Sequence, residues 1–225
     1  MAPVNVVDHS IAEKNLTLKV YKSIRDMMVN YEIVPGQRLI FSALASQLGV
    51  SRTPVHMALS ILAREGFLDF VPNQGYTVHK ISQNEAENLY EIMKIFMVGG
   101  IGKAIRWLTP ERLQELERRK IAYEKAVVEQ VSRGRFILDQ EYHACMLEMS
   151  NNQYLADYFR EVYQRIYLRH RIESLVPERA REVVGEHHEI FEAIRIRDVE
   201  ATRELLASHI DAGKKYIFSR IFDEK

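Results

Sequence analysis

The stretch "GVSRTPVHMALSILAREGFL", residues 49–68, decides how the first third of the chain folds. Gly49 opens it with a turn, and Arg52 and Thr53 stand at a helix start. Val55, Leu59 and Leu62 then recur at helical spacing. Those three share an apolar face, while Arg52, Thr53 and His56 fall elsewhere, so the segment predicts a helix that packs on one side and presents the other.

Working outward, Leu16 to Val29 predicts a helix with Leu16, Val20, Ile24, Met27 and Met28 along one side, after a polar, mobile leader over residues 1–14. "PGQRL" (35–39) stops it, because Pro35 cannot continue a helix and Gly36 permits a turn. A short helix from Ser42, as N-cap, to Leu48 follows. Beyond Gly66, "FLDFV" and "GYTVH" are β-favouring segments joined by the turn formers "PNQ", which predicts a hairpin. Three helices and a hairpin make a winged helix-turn-helix over residues 15–79.

"SQNE" (82–85) is a capping-box pattern and marks a new helical region, with the boundary at about residues 79–83. "TPE" (109–111) supplies another N-cap with Pro in the first turn, and Gly134, Asn151 with Asn152, Pro177 and Asp198 mark further breaks. Six or so helices over residues 83–222 predict an all-α bundle. The expected fold is therefore mainly α, a winged domain in front of a helical one.

With 47% hydrophobic and 28% charged residues, the 225-residue chain has the balance of a globular protein. Formal net charge is zero, and residues 1–80 carry 8 Lys and Arg against 6 Asp and Glu, so any basic patch must be local. The lone Cys145 excludes an internal disulfide framework. The N-terminus lacks a secretory pattern and no apolar run would span a bilayer, so a cytoplasmic location without membrane attachment is expected.

A helix-turn-helix brings the N-terminal residues of its second helix to the edges of the bases in the major groove. Here those are Ser51, Arg52, Thr53 and Pro54, with His56 one turn on from Arg52. Arg52 can pair bidentately with guanine; the alternative is a solvated arginine on a small interaction module.

The rear region holds a second constellation. Asp139 and His143 are four apart on one predicted helix, His187 accompanies Ile190, Phe191 and Ile194, and His209 shares a face with Leu205 and Leu206. Imidazole and carboxylate together suit zinc, nickel, iron or manganese. Each histidine taken singly can equally be a hydrogen-bonded core residue, and periodicity does not show that the helices converge. His79, His170 and His188 are assigned to wing, interface or solvent.

The segments "PGQRL", "LASQLGVSRTPVHMALSILAREGFL" and "PNQGYTV" together resemble the DNA-binding domain of the GntR family of bacterial transcription regulators. That resemblance implies contacts from Arg52 and Thr53 with help from Arg38, and a wing tip at Asn73, Gln74 and Gly75 approaching the minor groove. The chain departs from the family at His56-Met57, where Arg-Glu is usual, and at Gln74, often Arg. Fewer arginines mean fewer phosphate contacts and a shallower salt dependence. An imidazole at His56 would gain charge, and binding strength, as pH falls.

"DQEYHACML", "SNNQYL" and "EHHEIFEAIRIRDVEATRELLASHI" are similar to the all-helical FCD ligand-binding domain of the FadR-type GntR subfamily, over about residues 83–222. In metal-binding members an Asp, a His four residues later and two further His form the site, which implies Asp139, His143, His187 and His209 here. The resemblance implies a divalent ion, zinc or nickel first and iron or manganese next, with one or two positions left for water or an effector carboxylate. Where relatives often carry "YE.R...E", this chain reads "YEIMKIFM", with Met93 and Met97 in place of Arg and Glu. The effector pocket is therefore expected to involve Met93, Met97, Asn152, Arg165 and Arg169, with Arg171 as a further substitute; equally, the methionines are core filler.

Together these readings give an effector-responsive regulator, a repressor, acting as a homodimer on a pseudo-palindromic operator in double-stranded DNA and sensing a small organic acid. Two other readings stay open: a metal-dependent hydrolase, or a regulator whose metal is purely structural. The hydrolase lacks a carboxylate placed as general base, and Cys145 lies two residues from His143, on a different helix face.

Overall fold

The computed structural model describes residues 6–130, 134–169 and 176–222, with side chains from residue 15 onward. Two compact units emerge, residues 1–80 with 168–170, and residues 81–167 with 171–225.

The first unit holds α1 (Val6–Val29), β1 (Arg38–Leu39), α2 (Phe41–Leu48), α3 (Arg52–Arg64), β2 (Leu68–Val71) and β3 (Gly75–Val78). Helix α1 runs back to Val6, well into the stretch expected as a mobile leader, because neither Pro nor Gly interrupts residues 6–29. It ends where Tyr31 turns left-handed (φ 55°) and the amides of Glu32 and Ile33 return to the Met27 carbonyl.

Helix α2 begins two residues earlier than an N-cap at Ser42 predicts. Ile40 is the N-cap, extended at φ −101°, and no side chain caps the helix. The strand before it fixes that geometry, since Leu39 pairs opposite Tyr76. The expected hairpin is thus a three-stranded antiparallel sheet in the order β1-β3-β2. A two-residue strand lacks a readable alternation, and only its partner β3 makes it one. At the wing tip Asn73 (φ 63°) and Gly75 (φ 87°) supply the left-handed turn, and the Gln74 amide donates to the Val71 carbonyl.

Gly49, left-handed at φ 65°, caps α2 and reverses the chain into α3. Val55, Ala58, Leu59 and Leu62 are fully buried, packed with Val20, Ile24 and Met28 of α1. Burying a leucine or valine side chain contributes about 1.5–3 kcal/mol, so this face anchors the helix and leaves its start to solvent.

The second unit consists of α4 (Gln83–Arg106), α5 (Pro110–Val128), α6 (Gly134–Glu148), α7 (Gln153–Tyr167), α8 (Pro177–Arg195) and α9 (Val199–Ile221). Three starts are capped by side chains: Ser82 accepts from the Glu85 amide, Thr109 from Arg112 and Asp198 from Ala201. Left-handed Asn151 (φ 55°) turns α6 into α7. Helix α4 packs against α6, α7 and α9, while α8 packs on α5 and α9. Met93 and Met97, expected at the effector pocket, are buried in the hydrophobic core of this bundle.

Candidate functional site

Helix α6 sets the geometry of the second unit's interior. Arg135, Asp139 and His143 stand at i, i+4 and i+8, so one stripe carries a guanidinium, a carboxylate and an imidazole. Helix α8 brings Arg179, Val183 and His187 at the same spacing, and α9 brings His209, Gly213 and Ile217. The periodicity that buries an amphipathic helix therefore also turns these polar groups inward.

The four residues expected as metal ligands meet. The ligand atoms of His143, His187 and His209 lie within 4.8 Å of one another. Nε2 of His209 is 3.1 Å from Nε2 of His143. Asp139 Oδ1 is 3.4 Å from His187 Nε2, and its Oδ2 is 3.9 Å from His143 Nε2. Donors about 2.1 Å from one ion are about 3.0 Å apart at a right angle and about 3.4 Å apart in a tetrahedron, so the His143–His209 and Asp139–His187 separations fit a common centre, and the wider ones need a shift of a few tenths of an ångström or more to close on it.

Protonation and hydrogen bonding agree with that fit. Burial, reinforced by His209, holds His143 and His187 well below the usual imidazole range, so both are neutral with lone pairs available. Neither ring nitrogen of the fully buried His187 has a hydrogen-bond partner among the described residues. Such orphaned atoms are costly unless something completes them. Burial raises Asp139, opposed by His209 and by the hydroxyl of Tyr163, which donates to Oδ2 at 2.6 Å.

Around these residues sits a supporting layer that sequence reasoning missed. His209 Nδ1 is 2.6 Å from Glu186 Oε2, which orients Nε2 toward the centre. Although burial pushes Glu186 up, hydrogen bonds from His209 and Arg179 hold it at about 2. The Tyr142 hydroxyl donates to the His187 carbonyl at 3.0 Å. Glu186 adjoins His187 in the sequence, so its role could not be separated from an exposed helical glutamate without the position of His209.

A cavity of about 50 Å³ adjoins the cluster and is bordered by Asp139 and His209. Arg135 and Arg179 also face it, with Tyr123, Phe136, Tyr167 and Tyr216 among its aromatic walls. None of the five residues expected at the effector pocket borders this cavity. Met93 and Met97 face the core because the buried stripe of α4 runs through both. The Asn152 carbonyl accepts from the Leu155 amide at the start of α7. Arg165 lies off the inward stripe of α7 and pairs with Glu161 one turn back. Arg169 is buried in the first unit, donating to the Gly66 carbonyl. Arg171 and His170 lie outside the described residues. The signal for Arg135 was present in the sequence, one turn before Asp139.

The chemistry of this centre is poor for hydrolysis. Glu186, the carboxylate bonded to His209, is also engaged twice by Arg179, at 2.5 and 3.0 Å, and is not available as a general base. Cys145 is buried, which pushes its thiol up to about 12, far from a reactive thiolate.

In the first unit, Ser51, Arg52, Thr53 and His56 are exposed around the start of α3. Pro54 is not: its ring is buried, so it shapes the first turn of the helix and is turned away from any groove. Arg38, on β1, and Asn73 and Gln74, at the wing tip, are exposed, while Gly75 is partly covered. His56 stacks on Phe41 at 5.5 Å between centroids and meets the edge of Tyr76 at 6.2 Å. Ile40, Phe41, Ser42, Arg52 and His56 together border a shallow depression. Phe41, from α2, and Ile40, its N-cap, are contributions that the reading of α3 alone overlooked. His79 pairs with Asp69 across the base of the wing at 2.9 Å, and His188 is exposed.

Comparison with known proteins agrees with both halves. Residues 16–78 match the family model described as bacterial regulatory proteins, gntR family, and residues 88–212 match the FCD domain. The HTH-type transcriptional regulator McbR of Escherichia coli K12 is 28% identical over 199 residues, covering 86% of this chain and 88% of McbR. The regulator YdhC of Bacillus subtilis strain 168 is 25% identical over 195 residues, covering 86% and 87%. A solved structure of E. coli McbR/YncC superposes with a TM-score of 0.78 at 25% identity, covering 91% of this chain and 98% of that one. No helix among the described residues is long and apolar enough to cross a membrane. With a GntR domain at its front and an FCD domain spanning more than half its length, the chain belongs to the gntR family of bacterial transcription regulators.

Proposed function

We propose that this regulator is a metal-containing sensor of the FadR type, in which Asp139, His143, His187 and His209 hold a divalent ion beside an effector cavity. The observation that carries the reading is the meeting of three imidazoles from three helices around His187, whose two ring nitrogens are otherwise orphaned. Zinc or nickel suits this donor set best, with iron or manganese next. When bound, such an ion supplies a positive charge and open coordination positions that favour a small organic acid. The chain's own residues fix the site: Tyr163 steadies Asp139, Glu186 orients His209, and the aromatic walls exclude water from the ligand.

At the other end, Arg52 and Thr53 on α3 are assigned to base and phosphate contacts, with Ser51, His56, Arg38, Asn73, Gln74 and Gly75 in support. Recognition of a pseudo-palindrome requires two such helices, so the working unit is a homodimer with two-fold symmetry. Effector binding favours an arrangement of the two winged domains that no longer matches the half-sites, and the regulator, a repressor, releases its operator. By linkage, DNA weakens effector binding by the same factor. Binding to chromosomal DNA implies a cytoplasmic protein.

Elemental analysis of purified protein tests the metal centre. Near-stoichiometric metal is expected, lost in a His187→Ala, His209→Ala double variant; no metal in the wild type would refute it. Gel-shift titration with a bound organic acid tests the direction, and tighter operator binding would overturn release.

A further inference from the structure

We propose that Arg135 is a specificity-determining residue of the cavity, and that it selects ligands carrying a second anionic group, small dicarboxylates in preference to monocarboxylates. The proposal rests on the metal-containing sensor described above, because the first anionic group is taken to lie at the metal end of the cavity.

Arg135 is only 5% exposed, yet its Nε and Nη2 have no hydrogen-bond partner among the described residues. It borders the cavity together with Asp139, one helical turn further along α6. A buried guanidinium left unsatisfied is unfavourable, and an apolar residue would fill the same space without that penalty. The cavity's other guanidinium does not share this condition. Arg179 is held by Glu182 at 3.0 Å and by Glu186 at 2.5 Å, so its charge is already balanced within the protein.

The unpaired edge of Arg135 is a planar fork of N–H donors, and its natural complement is the two oxygens of a carboxylate. Four residues of helix separate Arg135 from Asp139 by about 6 Å along the axis, so one ligand can reach both ends. Phe136, Tyr216 and Ile217 border the same cavity and suit a short hydrocarbon linker. A four- or five-carbon dicarboxylate satisfies each of these requirements; a monocarboxylate leaves one end unpaired.

The test is calorimetric titration of the full-length, zinc-loaded protein with succinate and glutarate, and with butyrate and valerate as matched monocarboxylates. At least one dicarboxylate is expected to bind about tenfold more tightly than its monocarboxylate, a margin of about 1.4 kcal/mol. Arg135→Gln should abolish the preference without loss of zinc, and Arg135→Lys should restore part of it. As a second readout, Arg135→Met should raise the Tm of the ligand-free protein, since it removes buried N–H donors that have no hydrogen-bond partner among the described residues. Equal binding of both classes, no binding of either dicarboxylate, retention of the preference in Arg135→Gln, or a lowered Tm in Arg135→Met would each overturn the proposal. Failure of the underlying metal reading is separately visible, as absence of metal from the wild type before any acid is added; the Tm comparison then still decides the role of Arg135.

Discussion

Lowering the pH of the metal-free protein from about 7 to about 5.5 should destabilise the helical domain through His143 and His187. Both are buried, and burial together with the neighbouring His209 holds their folded-state affinity for protons well below the ordinary imidazole value. In the unfolded chain both titrate near the ordinary value of about 6.5, so over this window the unfolded state binds more protons than the folded one. Stability is then fully present above about pH 6.5 and falls as pH drops below it. Integrating the linkage relation, each histidine costs on the order of 1 kcal/mol between about pH 7 and about pH 5.5, and the pair about twice that. Asp139 works against this, because burial raises its affinity for a proton in the folded state, so the pair's figure is a ceiling. The measurement is urea denaturation followed by far-UV circular dichroism on chelator-treated protein, at half-unit pH steps, with His143→Gln, His187→Gln as the comparison. A wild-type profile that is flat across this range, or as steep in the double variant, would refute the assignment of both imidazoles as buried and neutral.

Other outcomes follow from single contacts. Glu186→Gln removes the carboxylate that orients His209 and should weaken metal affinity by about 10- to 100-fold while leaving the helical content unchanged, as read by chelator competition. Leu59→Ala, at a fully buried position on the inward face of α3, should cost about 2–5 kcal/mol and lower the stability of the winged domain, measured by thermal denaturation. His56→Arg should steepen the dependence of DNA affinity on salt by about 0.9 in the log–log slope if the new guanidinium reaches one phosphate, and an unchanged slope in a titration series would show that it does not. Cys145, buried with its thiol pushed up to about 12, should resist aromatic disulfide reagents in the native protein and react promptly once unfolded.

The sequence alone determined the elements whose signals are local. Val55, Leu59 and Leu62 fixed the inward face of α3, Gly49 its entry turn, and Ser82, Thr109 and Asp198 the starts of three rear helices, because periodicity and capping depend on residues within a few positions of one another. Asp139 and His143 were likewise visible as a pair at one turn's spacing. That His187 and His209 join them depended on resemblance, since spacing within one helix says nothing about which other helix it faces.

What only the tertiary structure decided are the relations between elements. The two-residue strand Arg38–Leu39 exists because β3 offers it a partner, and its pairing moves the cap of α2 from Ser42 to Ile40. Pro54 turns into the core, while Phe41 from α2 comes under His56. The cavity is bordered by Arg135 and Arg179 instead of Met93, Met97, Asn152, Arg165 and Arg169. The strand turns on a partner distant in the sequence, and the other outcomes on how one helix rotates against its neighbours, a quantity set by the burial of whole faces and not by any short run of residues.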